Sequence, residues 1–204
     1  MEDFITFESD NDDHLFIVDE RTNIDEYYEN LTTVQLGEQL TVLLESINNK
    51  STSNRMHQLI ELHKLLLSSE ARLDSNQLGN VLRMVGTGDT AYDFHTTTTS
   101  MELELHLRIY VLALEACGKR KFKMSKEFQK NLHEHLVRLS DVHQYHIKVI
   151  QDDFNKEYTS ECNPYYTQKF LKRDIKIQNY NIDFMLVHLH NTLYAMASDE
   201  AILF

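Results

Sequence analysis

Residues 99–118, TSMELELHLRIYVLALEACG, decide the fold class of this chain. Met101, Leu103, Leu105, Leu107, Ile109 and Val111 alternate with Glu102, Glu104, His106, Arg108 and Tyr110, and that period of two suits a half-buried strand. Three features favour a helix. Leu and Glu are better helix formers than strand formers. Thr99 and Glu102 have the spacing of a capping box, in which each side chain satisfies a backbone N–H of the other residue. A lone strand would also have no partner in the rest of the chain. The segment is therefore expected to be a helix over about 100–117, apolar on a broad face, centrally buried and ended by Gly118.

The flanking sequence agrees with that choice. Five glycines and one proline in 204 residues are far below ordinary usage of roughly 7% and 5%, so the punctuation that hairpins and sandwiches need is missing. Thr32 with Gln35 forms a second capping box, followed by Leu36, Leu40, Leu43, Leu44 and Ile47 on one helical face. After a polar turn over 48–54, a helix from Arg55 to Ser69 is expected with Met56, Leu59, Ile60, Leu66 and Leu67 inward. A third, from Ser75, carries Leu78, Val81, Leu82 and Val85, with Gly86 as its C′ residue. Residues 86–100 read as a long connection. Ser125 is a candidate N-cap for one long helix to about Tyr158, whose stripe Leu132, Leu136, Leu139, His143, Ile147, Ile150 and Phe154 keeps its phase across Ser140 and Asp141. Asn163 and Pro164 open a further helix through Phe170, Leu171 and Ile175. The last helix places Ile182, Met185, Leu189, Leu193 and Met196 inward.

The expected fold is thus all-α, with about seven helices in an antiparallel bundle. Helix starts near 32, 75, 125 and 164 also fit a short solenoid of HEAT or armadillo type, whose repeats run to roughly 40–47 residues. No residue pattern recurs between these units.

Thirty-two acids against twenty bases give a formal charge of −12. That charge is confined. Residues 1–30 hold eleven acids and one base, Arg21, for −10, whereas residues 31–204 hold twenty-one acids and nineteen bases, for −2. The expected organisation is an acidic, largely disordered arm over 1–30 and a single helical domain over 31–204. The arm interleaves its acids with Phe4, Ile5, Phe7, Leu15, Phe16, Ile17, Val18, Ile24, Tyr27 and Tyr28, a composition typical of segments that order on a partner. Phe4, Phe7, Phe16, Ile17, Val18, Tyr27 and Tyr28 are the candidate partner-binding residues. Ser9, followed by Asp10 and Asp12, is an acidophilic phosphosite candidate.

The N-terminus lacks the basic and apolar regions of a secretory signal and the Arg-rich character of a transit peptide. The longest apolar run, Ile109 to Leu114, is far short of the roughly 20 residues of a membrane span. Cys117 and Cys162 read as reduced thiols. A cytoplasmic or nuclear location, with no membrane span, is expected.

Chemistry-bearing motifs are sparse. Eleven histidines invite a metal reading, with His143 and His146 on the long helix and His188 and His190 on the last. However, no H-E-x-x-H, Glu-x-x-His or Cys-x-x-Cys motif accompanies them. Gly86-Thr87-Gly88-Asp89-Thr90 lacks the lysine and preceding strand of a phosphate loop. No cofactor is called for. Lys119, Arg120, Lys121, Lys123 and Lys126 form a basic patch around Phe122, and Lys169, Lys172, Arg173 and Lys176 form a second group. Both can serve as phosphate contacts or as seats for the acidic arm.

The leading expectation is a non-enzymatic intracellular adaptor or regulatory subunit, binding a protein with a basic or apolar groove through the arm and a helical docking surface. An intramolecular contact of the arm is the competing use of the same residues. The alternatives are a helical enzyme or metal-binding protein using the histidines of the long and last helices, and a nucleic-acid-associated subunit using the loop 119–126.

Overall fold

The computed structural model describes residues 26–48, 55–87, 99–157 and 180–197, with backbone alone over 150–157. Among the described residues the protein is all-α, with seven α-helices and no strand. They are α1 (Glu26–Asn30), α2 (Thr33–Asn48), α3 (Arg55–Ser69), α4 (Ser75–Thr87), α5 (Ser100–Lys119), α6 (Lys126–Glu157) and α7 (180–197), with a 3₁₀ turn over Glu70–Arg72. The expected helix from Asn163 lies outside the described residues, as do the turn over 49–54 and the connection over 88–98. The short α1 is an addition to the helices expected from the sequence.

The ambiguous segment is the helix α5, and it sits at the centre, against α3, α4, α6 and the 3₁₀ turn. Leu103, Leu105, Leu107, Ile109, Tyr110, Ala113, Leu114, Ala116 and Cys117 are buried. The polar half of the alternation is buried too, at Glu102, Glu104 and His106. These three side chains have no solvent to bond with, so each must be paired internally. The Glu102 carboxylate accepts from the Thr99 N–H at 2.9 Å while the Thr99 hydroxyl accepts from the Glu102 N–H, completing the capping box. Arg108 reaches Glu104 at 2.7 Å. His106 Nε2 lies 2.7 Å from the Val85 carbonyl oxygen, and the Tyr110 hydroxyl donates to the Leu132 carbonyl at 3.2 Å.

The other caps are equally local. Thr32 and Gln35 form their capping box, and the Ser125 hydroxyl accepts from the Phe128 N–H. Asp74 and Gln77 form a reciprocal pair at the start of α4. Such caps are worth about 1 kcal/mol each. The helix α6 is continuous through Ser140, whose hydroxyl bonds back to the Leu136 carbonyl, so the retained phase outweighs the two cap-like residues.

Three details correct the sequence reading. In α3 the inward residues include Leu62 and Leu65, both fully buried, whereas Leu67 is 39% exposed. The helix is covered on a face that includes its 62–65–69 edge, because α1, α2 and α5 all pack on it. Gly86 is not a C′ residue, since α4 continues to Thr87. It is a close-approach glycine: a Cβ there would strike Leu132 Cδ2 and stand 3.2 Å from the Tyr110 ring. The end of α5 is likewise not made by Gly118. Lys121 is the left-handed residue, with φ 52°. The N–H groups of Phe122 and Lys121 donate to the carbonyls of Cys117 and Gly118, each at 3.0 Å, in a Schellman arrangement.

Gly86→Ala is expected to destabilise the protein by about 1–3 kcal/mol, the usual cost of overpacking a filled core. A denaturant titration reads this as a lower midpoint at unchanged slope.

Candidate interaction surface at the arm root and the basic loop

The residues that leave α5 alternate in direction. Phe122 packs on α4, where a Cβ on Gly79 would lie 3.1 Å from its ring, and Met124 is buried. Lys121 and Lys123, which flank Phe122, are exposed, as is Lys126 in the first turn of α6. Among the described residues these three ammonium groups have no carboxylate within salt-bridge distance. They form the free part of the predicted basic patch.

The other two members of that patch are engaged. Lys119 pairs with Glu70 at 3.1 Å. Arg120 donates to the Leu73 carbonyl and, at 2.8 Å, to the Glu70 carbonyl, so its guanidinium ties the end of α5 to the 3₁₀ turn. Arg72, within that turn, makes the same kind of contact with the arm root. It donates to the carbonyls of Tyr28 at 3.3 Å, Glu29 at 2.9 Å and Leu31. These are carbonyls at the end of α1, which the helix leaves without internal partners, and a cation there is also favoured by the helix dipole. One short turn therefore bonds both the root of the arm and the base of the basic loop.

Of the predicted arm residues, Phe4, Phe7, Phe16, Ile17 and Val18 lie outside the described residues. Tyr27 is 54% exposed and stands edge-on to Tyr28 at 5.2 Å. Tyr28 belongs to the core: it is 4% exposed, and its hydroxyl donates to Glu61 at 2.9 Å. The fixed end of α1 holds its ring against α3. Nothing local in the sequence marks Arg72 or Arg120 as clamps, since both act across more than forty residues. The second basic group, Lys169, Lys172, Arg173 and Lys176, lies outside the described residues.

The histidines are dispersed over several contacts. His143 Nε2 lies 3.2 Å from Asp183, His188 Nε2 lies 2.8 Å from Glu115, and the rings of His133 and His190 meet edge-on at 5.1 Å. These contacts join α7 to α5 and α6. Among the described residues no three or more His, Cys, Asp or Glu side chains converge as metal ligands. His106 and His135 face each other at 6.0 Å in the core. Burial pushes His106 down to about 3, helped by His135 and opposed by the Val85 carbonyl. Burial, together with Arg138, pushes His135 down to about 4. Burial likewise lowers His143, although Asp183 opposes the shift. The Cys117 thiol is pushed up to about 11 by burial, which makes it a poor nucleophile. Cys162 lies outside the described residues.

An open depression of about 500 Å³ on α2 is lined by Val34, Gly37, Glu38, Thr41, Val42 and Gln77, and it brings no set of reactive groups together. Among the described residues no helix is long and apolar enough to cross a membrane. Comparison with protein families, curated proteins and solved structures finds no match to this chain.

Two outcomes are expected from these contacts. Arg120→Ala removes a charged donor from two carbonyls and should cost about 2–3 kcal/mol, whereas Lys123→Ala at the same loop should stay within about 0.5 kcal/mol. Denaturation curves of the two variants distinguish the clamp from the free patch. The second outcome concerns acid. His106 and His135 have folded pKa values below the unfolded 6.5, so the unfolded chain binds more protons, and their stabilisation is complete above about pH 6.5 and falls as pH drops. Each histidine contributes a slope of about 1.4 kcal/mol per pH unit. Unfolding free energies between pH 6.5 and 5 should show this dependence, and His135→Leu should remove about half of the part due to this pair.

Proposed function

We propose that the chain is a non-enzymatic intracellular adaptor or regulatory subunit, whose acidic and aromatic arm captures a protein partner while the helical domain holds and positions it. The observation that carries this reading is the confinement of ten of the twelve net negative charges to residues 1–30. A tethered segment of that composition has both an electrostatic term, which steers and selects a basic partner, and aromatic anchors that fill grooves. The firm seating of Tyr28 and the Arg72 clamp support the reading. A fixed root keeps a partner captured by the arm near the helical domain, where a second contact gains from the high effective concentration. The three exposed lysines, Lys121, Lys123 and Lys126, supply an alternative seat for the same acids, so partner capture competes with a self-contact.

The test is deletion of residues 2–25, which stops short of Tyr28. Helicity and melting temperature should be nearly unchanged, while pull-down from the native source followed by mass spectrometry should lose the principal partner. Retention of every partner by the deleted form refutes the proposal.

A further inference from the structure

Lys121, Lys123 and Lys126 are exposed at the corner between α5 and α6, and the residues between them hold that corner in place. Phe122 packs so closely on α4 that a Cβ on Gly79 would stand 3.1 Å from its ring, and Met124 is buried. The lysines beside these two anchors are thus presented by a fixed backbone. Lys121 also holds the left-handed conformation, with φ 52°, at a position that glycine usually fills. A cation is kept where the backbone favours no side chain, and strain of this kind clusters at functional positions. We propose that these three lysines form an autoinhibitory seat, occupied by the acids of residues 1–25 of the same chain until a basic partner displaces them.

Such a seat presupposes that residues 1–25 capture a partner, as proposed above, and adds what holds them in check. Charge and tether both point to this occupant. Residues 1–25 contain nine acids and one base, for −8, whereas over 119–127 the one acid is Glu127. Oppositely charged surfaces of this kind select each other and suppress like-charged competitors.

The attachment point lies close to the seat. Arg72 fixes the arm root through the carbonyls of Tyr28, Glu29 and Leu31, and Arg120, next to Lys121, bonds the carbonyls of Glu70 and Leu73. The turn that both arginines serve has three residues, about 6 Å along its axis. Twenty-five residues extend to about 80 Å, so the acids reach the seat with length to spare. A ligand tethered this near its site acts at an effective concentration in the millimolar range, which favours the chain's own acids over an acidic competitor free in solution.

Carbodiimide cross-linking of the full chain joins a lysine amine directly to a carboxylate in ion-pair contact, and peptide mass spectrometry reads the joined positions. On the monomeric species, links from Lys121, Lys123 or Lys126 to acids of residues 1–25 are expected. Their yield should fall at least about fivefold between about 20 and 500 mM salt, because screening shortens the range of each charge. Release of the arm is read with an octalysine peptide as probe. Lys121→Gln, Lys123→Gln and Lys126→Gln together should tighten octalysine binding by the full chain at least about threefold more than a charge-matched variant, Lys130→Gln with Arg138→Gln and Lys148→Gln, because emptying the seat raises the competent fraction. Absence of the expected links, links confined to Lys169, Lys172 and Lys176, or equal octalysine binding by the two triple variants overturns the proposal. Links formed only between copies, in a mixture of isotope-labelled and unlabelled chains, overturn it as well. Binding of oligothymidylate by the full chain, lost in the seat variant and accompanied by no links to residues 1–25, overturns it in favour of a phosphate ligand. The cross-links require no partner, so failure of the seat and failure of partner capture are read separately.

Discussion

The structure depends on the burial of α5 among its neighbours. A helix that touches α3, α4, α6 and the 3₁₀ turn buries Glu102, Glu104 and His106 along with its leucines, and each buried polar group then requires an internal partner. The point of closest approach is Gly86 on α4. The absence of a side chain there lets the Tyr110 ring and Leu132 come into contact with the α4 backbone, and Tyr110 uses its hydroxyl to hold the Leu132 carbonyl of α6. One residue earlier, the Val85 carbonyl meets His106. Helices α4, α5 and α6 are thus fastened at one place by two polar contacts and one missing side chain.

A second constraint links the parts that bear on function. The turn over Glu70–Arg72 is held by Arg120 on one side and holds the arm root through Arg72 on the other. Charge-assisted hydrogen bonds to carbonyls are stronger than neutral ones, so the origin of the arm and the position of the free lysines are set by the same few contacts. Arg120 therefore has a structural part even though its sequence context suggests a phosphate or acid contact. The division of the patch into clamped and free cations follows from which side chains can reach the turn.

Much of the fold was legible in the sequence. Capping boxes at Thr32 and Thr99, the N-cap at Ser125, the stripe of α6 and the inward residues of α4 are local features, determined by spacing over a few residues. The choice of helix for 99–118 was also a local decision, because capping and propensity act within the segment. The burial of Glu102, Glu104 and His106 was not legible, since alternation records only that polar and apolar residues take turns. The role of Gly86 was misread for the same reason: a glycine near a helix end has the local look of a cap, and only Tyr110 and Leu132 reveal a packing requirement.

The candidate surfaces divide along the same line. The sequence by itself determined the charge confinement, the basic cluster and the inward stripe of α7, because composition and periodicity are properties of the chain. The tertiary structure alone decided that Tyr28 is core, that Arg72 and Arg120 are clamps, and that Tyr180, Phe184, Val187 and Tyr194 of α7 are exposed. Those outcomes arise from contacts between residues many turns apart, and a helix with two apolar faces has no internal means of choosing which one it buries.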